Sequence, residues 1–456
     1  MRFLVLLLLS TTALAQSSPR TQISHTTESL RGVSAVSRQV AWASGTHGSY
    51  LRTIDGGHTW NPAHVPDATA LDFRGVVAFS ADEAFLMSAG PGDQSRIYHT
   101  ADAGQHWQLQ FTNSNPKGFF DSMAFWDREH GIVLGDPIPD ESGKLKFELL
   151  TTDDGEHWRP IPPAQLPPAQ EGEGAFAASN SCIAILHSPP VIRIGDAHSS
   201  SVILSGAVAQ AKREQLRSRR IPTFSTSFSP TQGILSNPLT ADADTQEESW
   251  KSSASAPRKP AEDDRASAPE DHDPNIWFAT GGKTARVFHS LDHGQTWQVF
   301  DTPLLHGPDS AGIFSIAFRD ALHGVIAGGD YKHPNNDGPN LAFTEDGGTT
   351  WTLSDIKPQT YFSAVAYDVR ANQAAAKQEA DEKSAEQKSK KLRIKPVAPE
   401  RLFIVGQDFV FDFRPPSNPR RLSGKRKHPL AFNAVTAYPE GGALIVGPKG
   451  SIVFFP

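Results

Sequence analysis

Short apolar runs that end in glycine recur along the whole chain. They read AWASG (to Gly45), LMSAG (to Gly90), IVLG (to Gly135), WFATG (to Gly281), VIAG (to Gly328), FIVG (to Gly406) and LIVG (to Gly447). A second short apolar run precedes each one: GVSAV, GVVAF, SMAF, AFAAS, FSIAF, SAVAY and NAVTAY. Runs this short, bounded by Gly and polar turn residues, read as strands buried on both faces. Five of the seven units continue into one eight-residue pattern, Ser/Thr-x-Asp-x-Gly-x-x-Trp. The copies are TIDGGHTW (53–60), TADAGQHW (100–107), TTDDGEHW (151–158), SLDHGQTW (290–297) and TEDGGTTW (344–351).

The repeating unit is therefore strand A, strand B ending in Gly, strand C, an Asp-x-Gly turn and strand D beginning near Trp. Seven such units predict an all-β fold, a seven-bladed β-propeller of four-stranded antiparallel blades. A blade cannot bury both of its faces alone, so neighbours must stack into a ring. Residues 187–274 and 371–398 fit no blade, and both fall between strands A and B, in blades 4 and 6. Setting them aside with a leader to residue 15 leaves about 46 residues per blade, near the roughly 40–50 of propeller repeats. The first insertion is rich in Ser, Pro and charge, and the second in Ala, Lys and Glu. Neither composition builds a packed core.

The eight-residue pattern reads as a structural staple. Its Gly can take a positive φ without a Cβ clash, and its Asp can accept bonds from turn N–H groups. Its Trp carries a large ring between blades. On this reading Asp55, Asp102, Asp153, Asp292 and Asp346 hold turns. Trp60, Trp107, Trp158, Trp297 and Trp351 anchor the core. Units 6 and 7 carry GQDFVFDF and GPKGSIVFF in place of the pattern. The final strand, SIVFF, is expected to close the ring by pairing with an N-terminal element.

Composition adds a compartment. The start MRFLVLLLLS, followed by Ala13-Leu14-Ala15, has the form of a secretory signal peptide cleaved after Ala15. The expectation is an exported chain, periplasmic or secreted, without a transmembrane anchor. Cys182 is the only cysteine, so no internal disulfide can form. The net charge of −7 carries no dominant basic block, which argues against a nucleic-acid partner. No metal site, cofactor fingerprint or haem motif stands out, so no cofactor is expected. A monomer is expected.

The five patterned turns, each after a strand ending in Gly, resemble those of Asp-box (BNR) propellers. The nearest resemblance is to the photosystem II stability/assembly-factor family and its exported bacterial relatives, with blades such as AWASGTHGSYLRTIDGGHTW. It covers the chain from about Arg31 to Pro456 apart from the two insertions. It implies the propeller fold. For function it implies an assembly or binding role, but Asp-boxes also occur in sialidases, other glycosidases and sorting receptors.

Propeller geometry puts the Asp-boxes and both insertions on one face. The other face, with the D–A and B–C loops, surrounds the mouth of the central channel. Repeat alignment brings Arg31, Arg74, Asp121 and Glu173, with Glu171, to the start of strand A in blades 1 to 4. Blades 5 to 7 offer Ser315, Tyr361, Ser363 and Asn433. The B–C stretches DPIPDESGK (136–144) and DYKHPNNDG (330–338) add Asp136, Asp330 and Tyr331. The favoured reading is a binding or assembly-factor-like scaffold, for a protein client or a small ligand at this mouth. A sialidase-like glycoside hydrolase is the alternative, because Arg31 and Arg74 could meet a carboxylate and Tyr331 or Tyr361 could act as nucleophile. That chemistry wants a third arginine, and Arg319 should lie on the opposite face. A cofactor-binding oxidoreductase is the second alternative.

Overall fold

Strands A and B carry apolar side chains on both faces, so each blade must be covered by a neighbour on either side, and seven sheets do this. The computed structural model describes residues 18–162, 165–166, 168–186, 273–335, 338–355, 360–370, 401–407, 410–413, 420–421 and 431–456. The leader to residue 15 and the stretch 371–398 lie outside them, as does 187–274 apart from its last two residues.

Strands A to D run outward from the axis in antiparallel order in every blade. Blade 1 holds Leu30–Ala35, Ala41–Gly45, Ser49–Thr53 and Asn61–His64. Strand A is Phe73–Ala78 in blade 2, Phe120–Phe125 in blade 3, Ala311–Phe318 in blade 5 and Phe362–Tyr367 in blade 6. Blade 7 joins the two chain ends. Ala434–Ala437, Ala443–Gly447 and Ser451–Phe455 are completed by Arg20–Gln22, with Gln22 opposite Ile452. The expected closure of SIVFF on an N-terminal element is thus Arg20–Gln22.

Each blade interface has its own apolar cluster, seven in all among the described residues. Every Asp-box Trp packs into the interface with the preceding blade. Trp60 meets Leu444 and Phe454 of blade 7, and Trp158 meets Phe85 and Phe125.

The box turns explain their own sequence. Thr53 Oγ1 donates to Asp55 Oδ1 and accepts from Gly57 N, both at 2.9 Å, while Thr59 N donates to Asp55 Oδ1 at 2.9 Å. The same bonds recur at Asp102, Asp292 and Asp346. Two successive residues take positive φ there, Gly56 with Gly57 in the first box. That is why Gly is required at the fifth position.

Blade 3 corrects the sequence reading. Its strand C runs to Thr152, paired with Gly131, and its turn has a single positive-φ residue, Gly155. The turn is one residue shorter, so Asp154 takes the holding role, accepting from Thr152 Oγ1 (3.1 Å), Glu156 N (2.8 Å) and His157 N (2.7 Å). Asp153 points out and pairs with Arg159.

Blade 4 holds a larger difference. AFAAS is not its strand A; that strand is Ile183–Ile185, paired with Ile276–Ala279. Upstream, Glu173–Gly174 pairs with Gly281–Gly282, extending the sheet of blade 5 to six strands. Residues 175–180 are left free of the ladder and cross the channel.

Candidate functional site

A propeller strand A spends both faces on neighbouring blades, so regular alternation leaves no side chain for the axis. The chain solves this with β-bulges. The register of strand A against strand B slips between Leu30 and Gly32, Phe73 and Gly75, Phe120 and Ser122, Ile313 and Ser315, and Phe362 and Ala364. A bulge leaves one residue unpaired and re-aims its side chain. The unpaired residues are Arg31, Arg74, Asp121, Phe314 and Ser363. In blade 7 Asn433 stands just before the first paired residue, Ala434. All six line one cavity of 480 Å³ at the channel mouth. Its floor is the crossing segment, Ala175 to Ala178, and its walls add Phe119, Asp136, Tyr331 and Tyr361.

The floor is tied to the ring on several sides. Arg74 Nη1 donates to Ala177 O (3.2 Å) and Ala175 N donates to Asp136 Oδ1 (3.0 Å). Asn180, at φ 59°, accepts from Met123 N and donates to Met123 O. Ser179 Oγ reaches Ser363 O in blade 6, and Ser181 Oγ reaches Ser315 Oγ in blade 5. Gly75 gives Asn180 its space, because a Cβ there would sit 2.7 Å from Asn180 Oδ1.

The mouth has two electrical halves and an aromatic side. Arg74 Nε donates to Asp72 Oδ2 (2.9 Å), and Arg31 Nη2 lies 3.5 Å from the same oxygen. Burial and the neighbouring Arg74 lower the Arg31 pKa, yet a guanidinium stays charged in proteins. Opposite in sign stand Asp121 and Asp136. Asp121 is 1% exposed, and burial first, then the Asp136 charge, push its pKa well above the usual carboxylate range. Burial pushes Asp136 up to about 6, against the Ala175 N–H that favours its charge. Phe176, Phe314 and Tyr331 form one aromatic group, with Phe176 and Phe314 centroids 4.7 Å apart and Tyr331 6.2 Å from Phe314. Tyr361 closes on Phe314 at 5.8 Å.

Arg31, Arg74, Asp121, Asp136, Tyr331, Tyr361 and Asn433 come together here. Glu173 and Asp330 do not. Glu173 is turned inward, where it accepts from Arg286 Nε (2.9 Å), Arg286 Nη2 and Thr280 Oγ1 (2.7 Å). It sits there because strand A of blade 4 starts later than the sequence suggested. Asp330 is 3% exposed and holds the 330–333 turn, accepting from Ser310 Oγ, Lys332 N and His333 N. Glu171 faces solvent beside Lys283. Ser315 lies below the mouth, bound to Ser181 and Val365 N. Asn433 lines the mouth, but its amide is committed to Leu30 O (2.6 Å) across the ring seam. Sequence reasoning missed Phe119, Phe176 and Phe314, which read as core. One signal was available: each bulge has an apolar–x–small pattern, and Ile313-Phe314-Ser315 fits it. Among the described residues no group of three His, Cys, Asp or Glu side chains is placed to hold a metal. No helix among them is long and apolar enough to cross a membrane.

Comparison with known proteins places this architecture. The sequence model of the family described as photosynthesis system II assembly factor YCF48 matches residues 12–118. Over this stretch the chain is similar to photosystem II assembly factors. The chloroplastic photosystem II stability/assembly factor HCF136 of Arabidopsis thaliana is 36% identical over 66 residues. That stretch is 14% of this chain and only 15% of the relative's length. In three dimensions the Asp-box propeller resembles YCF48 bound to a D1 peptide, with a TM-score of 0.51, 13% identity and coverage of 97% and 98% of the two chains. It resembles equally a catalytically inactive virginiamycin B lyase from Staphylococcus aureus with quinupristin, at TM-score 0.51, 8% identity and coverage of 96% and 98%. One architecture thus serves a peptide-bound factor and an enzyme, so these likenesses speak for fold alone.

Proposed function

We propose that this chain is a binding propeller that captures a polypeptide segment of a client protein at the channel mouth. The observation that carries the reading is the ring of bulge residues. Six blades each present one side chain that the ladder does not use, and the chain fills these places with Arg, Arg, Asp, Phe, Ser and Asn. A cavity of 480 Å³ is within the roughly 300–1,000 Å³ of ligand sites. Closed below by residues 175–180, it has room for two or three side chains. The half-exposed Tyr331 beside Phe176 offers the kind of aromatic anchor that dominates peptide interfaces. The sequence match of residues 12–118 to the YCF48 family, a member of which is known bound to a D1 peptide, supports a protein client. Glycoside hydrolysis is less well supported, because both lining arginines are already held by Asp72 and sialidase chemistry wants three. The leader MRFLVLLLLS with Ala13-Leu14-Ala15 supports action in an exported compartment, and a mature chain beginning at Gln16 on N-terminal sequencing tests that part.

The binding test uses a displayed library of random octapeptides. Peptides retained by the full chain should lose at least about tenfold in affinity for Tyr331→Ala, as a hot-spot anchor does. The variant should melt like the parent. Undiminished binding by a folded Tyr331→Ala, Arg74→Ala double variant rejects the mouth as the site.

A further inference from the structure

Asp121 carries a contradiction that the ring does not need. Its side chain is buried, near the Ala177 N–H that favours its charged form. Its Oδ2 has no partner, although the residue lines the mouth. Buried polar atoms are nearly always paired, and an exception calls for an explanation. Asp136 lies on the same wall with one oxygen taken by Ala175 N.

A count of charge shows what is missing. Two guanidiniums, Arg31 and Arg74, share the mouth with three carboxylates, Asp72, Asp121 and Asp136. Fully ionised, the group carries one surplus negative charge. Glu148, bound by Asn113 Nδ2 at 2.7 Å, also raises the Asp121 pKa, while Arg74 opposes that rise. The Cys182 thiol nearby stays protonated, its pKa raised first by burial and then by Asp121. Burial and the neighbouring carboxylates favour a proton on Asp121 in the empty mouth. A cation brought by a ligand can replace that proton.

We propose that the acidic half of the mouth binds the guanidinium or ammonium group of a client arginine or lysine side chain. Its N–H groups donate to Asp121 Oδ2 and to Asp136. Its stem lies along Phe176 and Phe314, where the ring faces also favour a cation. A bare divalent metal does not suit the place, since two carboxylates fall short of the six or more oxygens Ca²⁺ takes. The inference rests on the binding-propeller reading and names the side chain the site selects. It also sets a sign. Binding displaces the Asp121 proton to solvent, so affinity rises with pH.

The probe is n-butylguanidinium, with neutral n-butylurea as its isostere, titrated calorimetrically into the full chain in two buffers of different ionisation enthalpy. The cation should bind at least about tenfold tighter than the urea, with buffer-dependent heat that reports proton release. Asp121→Asn keeps the shape and removes the charge, so it should abolish the preference. If that variant does not fold, proton release by the parent and the response of Asp136→Asn carry the test. Equal binding of cation and urea, or a preference that survives in folded Asp121→Asn, overturns the cation site. Octapeptides retained without enrichment in Arg or Lys overturn it while leaving the binding reading intact. If no octapeptide is retained although n-butylguanidinium binds with proton release, the cation site stands and the polypeptide client falls.

Discussion

Removing the Glu173 carboxylate should damage the fold and leave the affinity of the folded fraction unchanged. Its side chain is fully buried and Arg286 is only 10% exposed. Glu173 accepts from two Arg286 nitrogens, from Thr280 Oγ1 and from Gln170 N. Glu173→Ala strands the guanidinium and two further donors in a buried site. Breaking one side of a buried pair costs about 3–5 kcal/mol. For seven blades of about 46 residues each, an unfolding entropy of about 2.1 cal/mol/K per residue means that each kcal/mol lowers the melting temperature by roughly 1.5 °C. The expected drop is therefore about 4–8 °C by thermal denaturation. Replacing the pair together, Glu173→Leu with Arg286→Leu, removes both charges and should recover most of the loss, since apolar replacement of a buried pair is often neutral. A Glu173→Ala chain that melts within about 1 kcal/mol of the parent but no longer retains octapeptides would refute the reasoning and return Glu173 to the mouth.

Three other expectations follow from the same contacts. In the third Asp-box, Asp154→Ala should cost about 1–2 kcal/mol in urea titrations through the turn N–H groups it leaves open, and Asp153→Ala at most about 1, as an exposed ion pair; the reverse order would restore the register read from sequence. Gln22→Ala should cost about 1–2 kcal/mol, because Gln22 bridges the Trp60 Nε1 donor and Gly56 O at the ring closure, and an unchanged urea midpoint would show the bridge idle. For Asp136 the folded pKa is raised, so the folded chain holds the proton more tightly than the unfolded chain, and stability falls as pH rises from about 4 to about 6. Asp136→Asn should keep the acceptor for Ala175 N and reduce that fall by about 1–3 kcal/mol, read from urea midpoints across the range; an unaltered slope would place the titration elsewhere.

The ring was legible because its demands repeat. Strand B must be apolar on both faces and end in Gly, and the box turn must supply Thr, Asp, a positive-φ Gly and Trp at fixed offsets. Two local choices were not legible. TTDDGEHW satisfies the eight-residue pattern with Asp153, but only the pairing of Thr152 with Gly131 shows that the turn has lost a residue. AFAAS fits the apolar–x–small signature of a bulged strand A as well as SCIAI does. Pairing decides between them, because Ile276 meets Ile185 across the ladder. Glu173 was misplaced for that reason alone. Phe314 was missed because a large apolar residue reads as core until the bulge at Ile313 is seen to free it.

The bulge also explains why the mouth can change while the ring stays the same. Paired residues of strand A answer to two neighbouring blades at once. Gly32, beside the first bulge, shows how little room that leaves: a Cβ there would meet Ser44 Oγ at 2.6 Å and Arg74 O at 2.9 Å. The ladder passes the bulged residue by, and its side chain leaves toward the axis. Substitution at Arg31 or Arg74 therefore alters what the cavity recognises and leaves the strand pairing in place, whereas Ser363 also donates to Phe432 O at 2.7 Å. Asp121 differs from them: it is 1% exposed although it lines the mouth, and its Oδ2 is without a partner. On the proposed cation site, a carboxylate left unpaired at a position the ladder passes by is there for what the mouth receives.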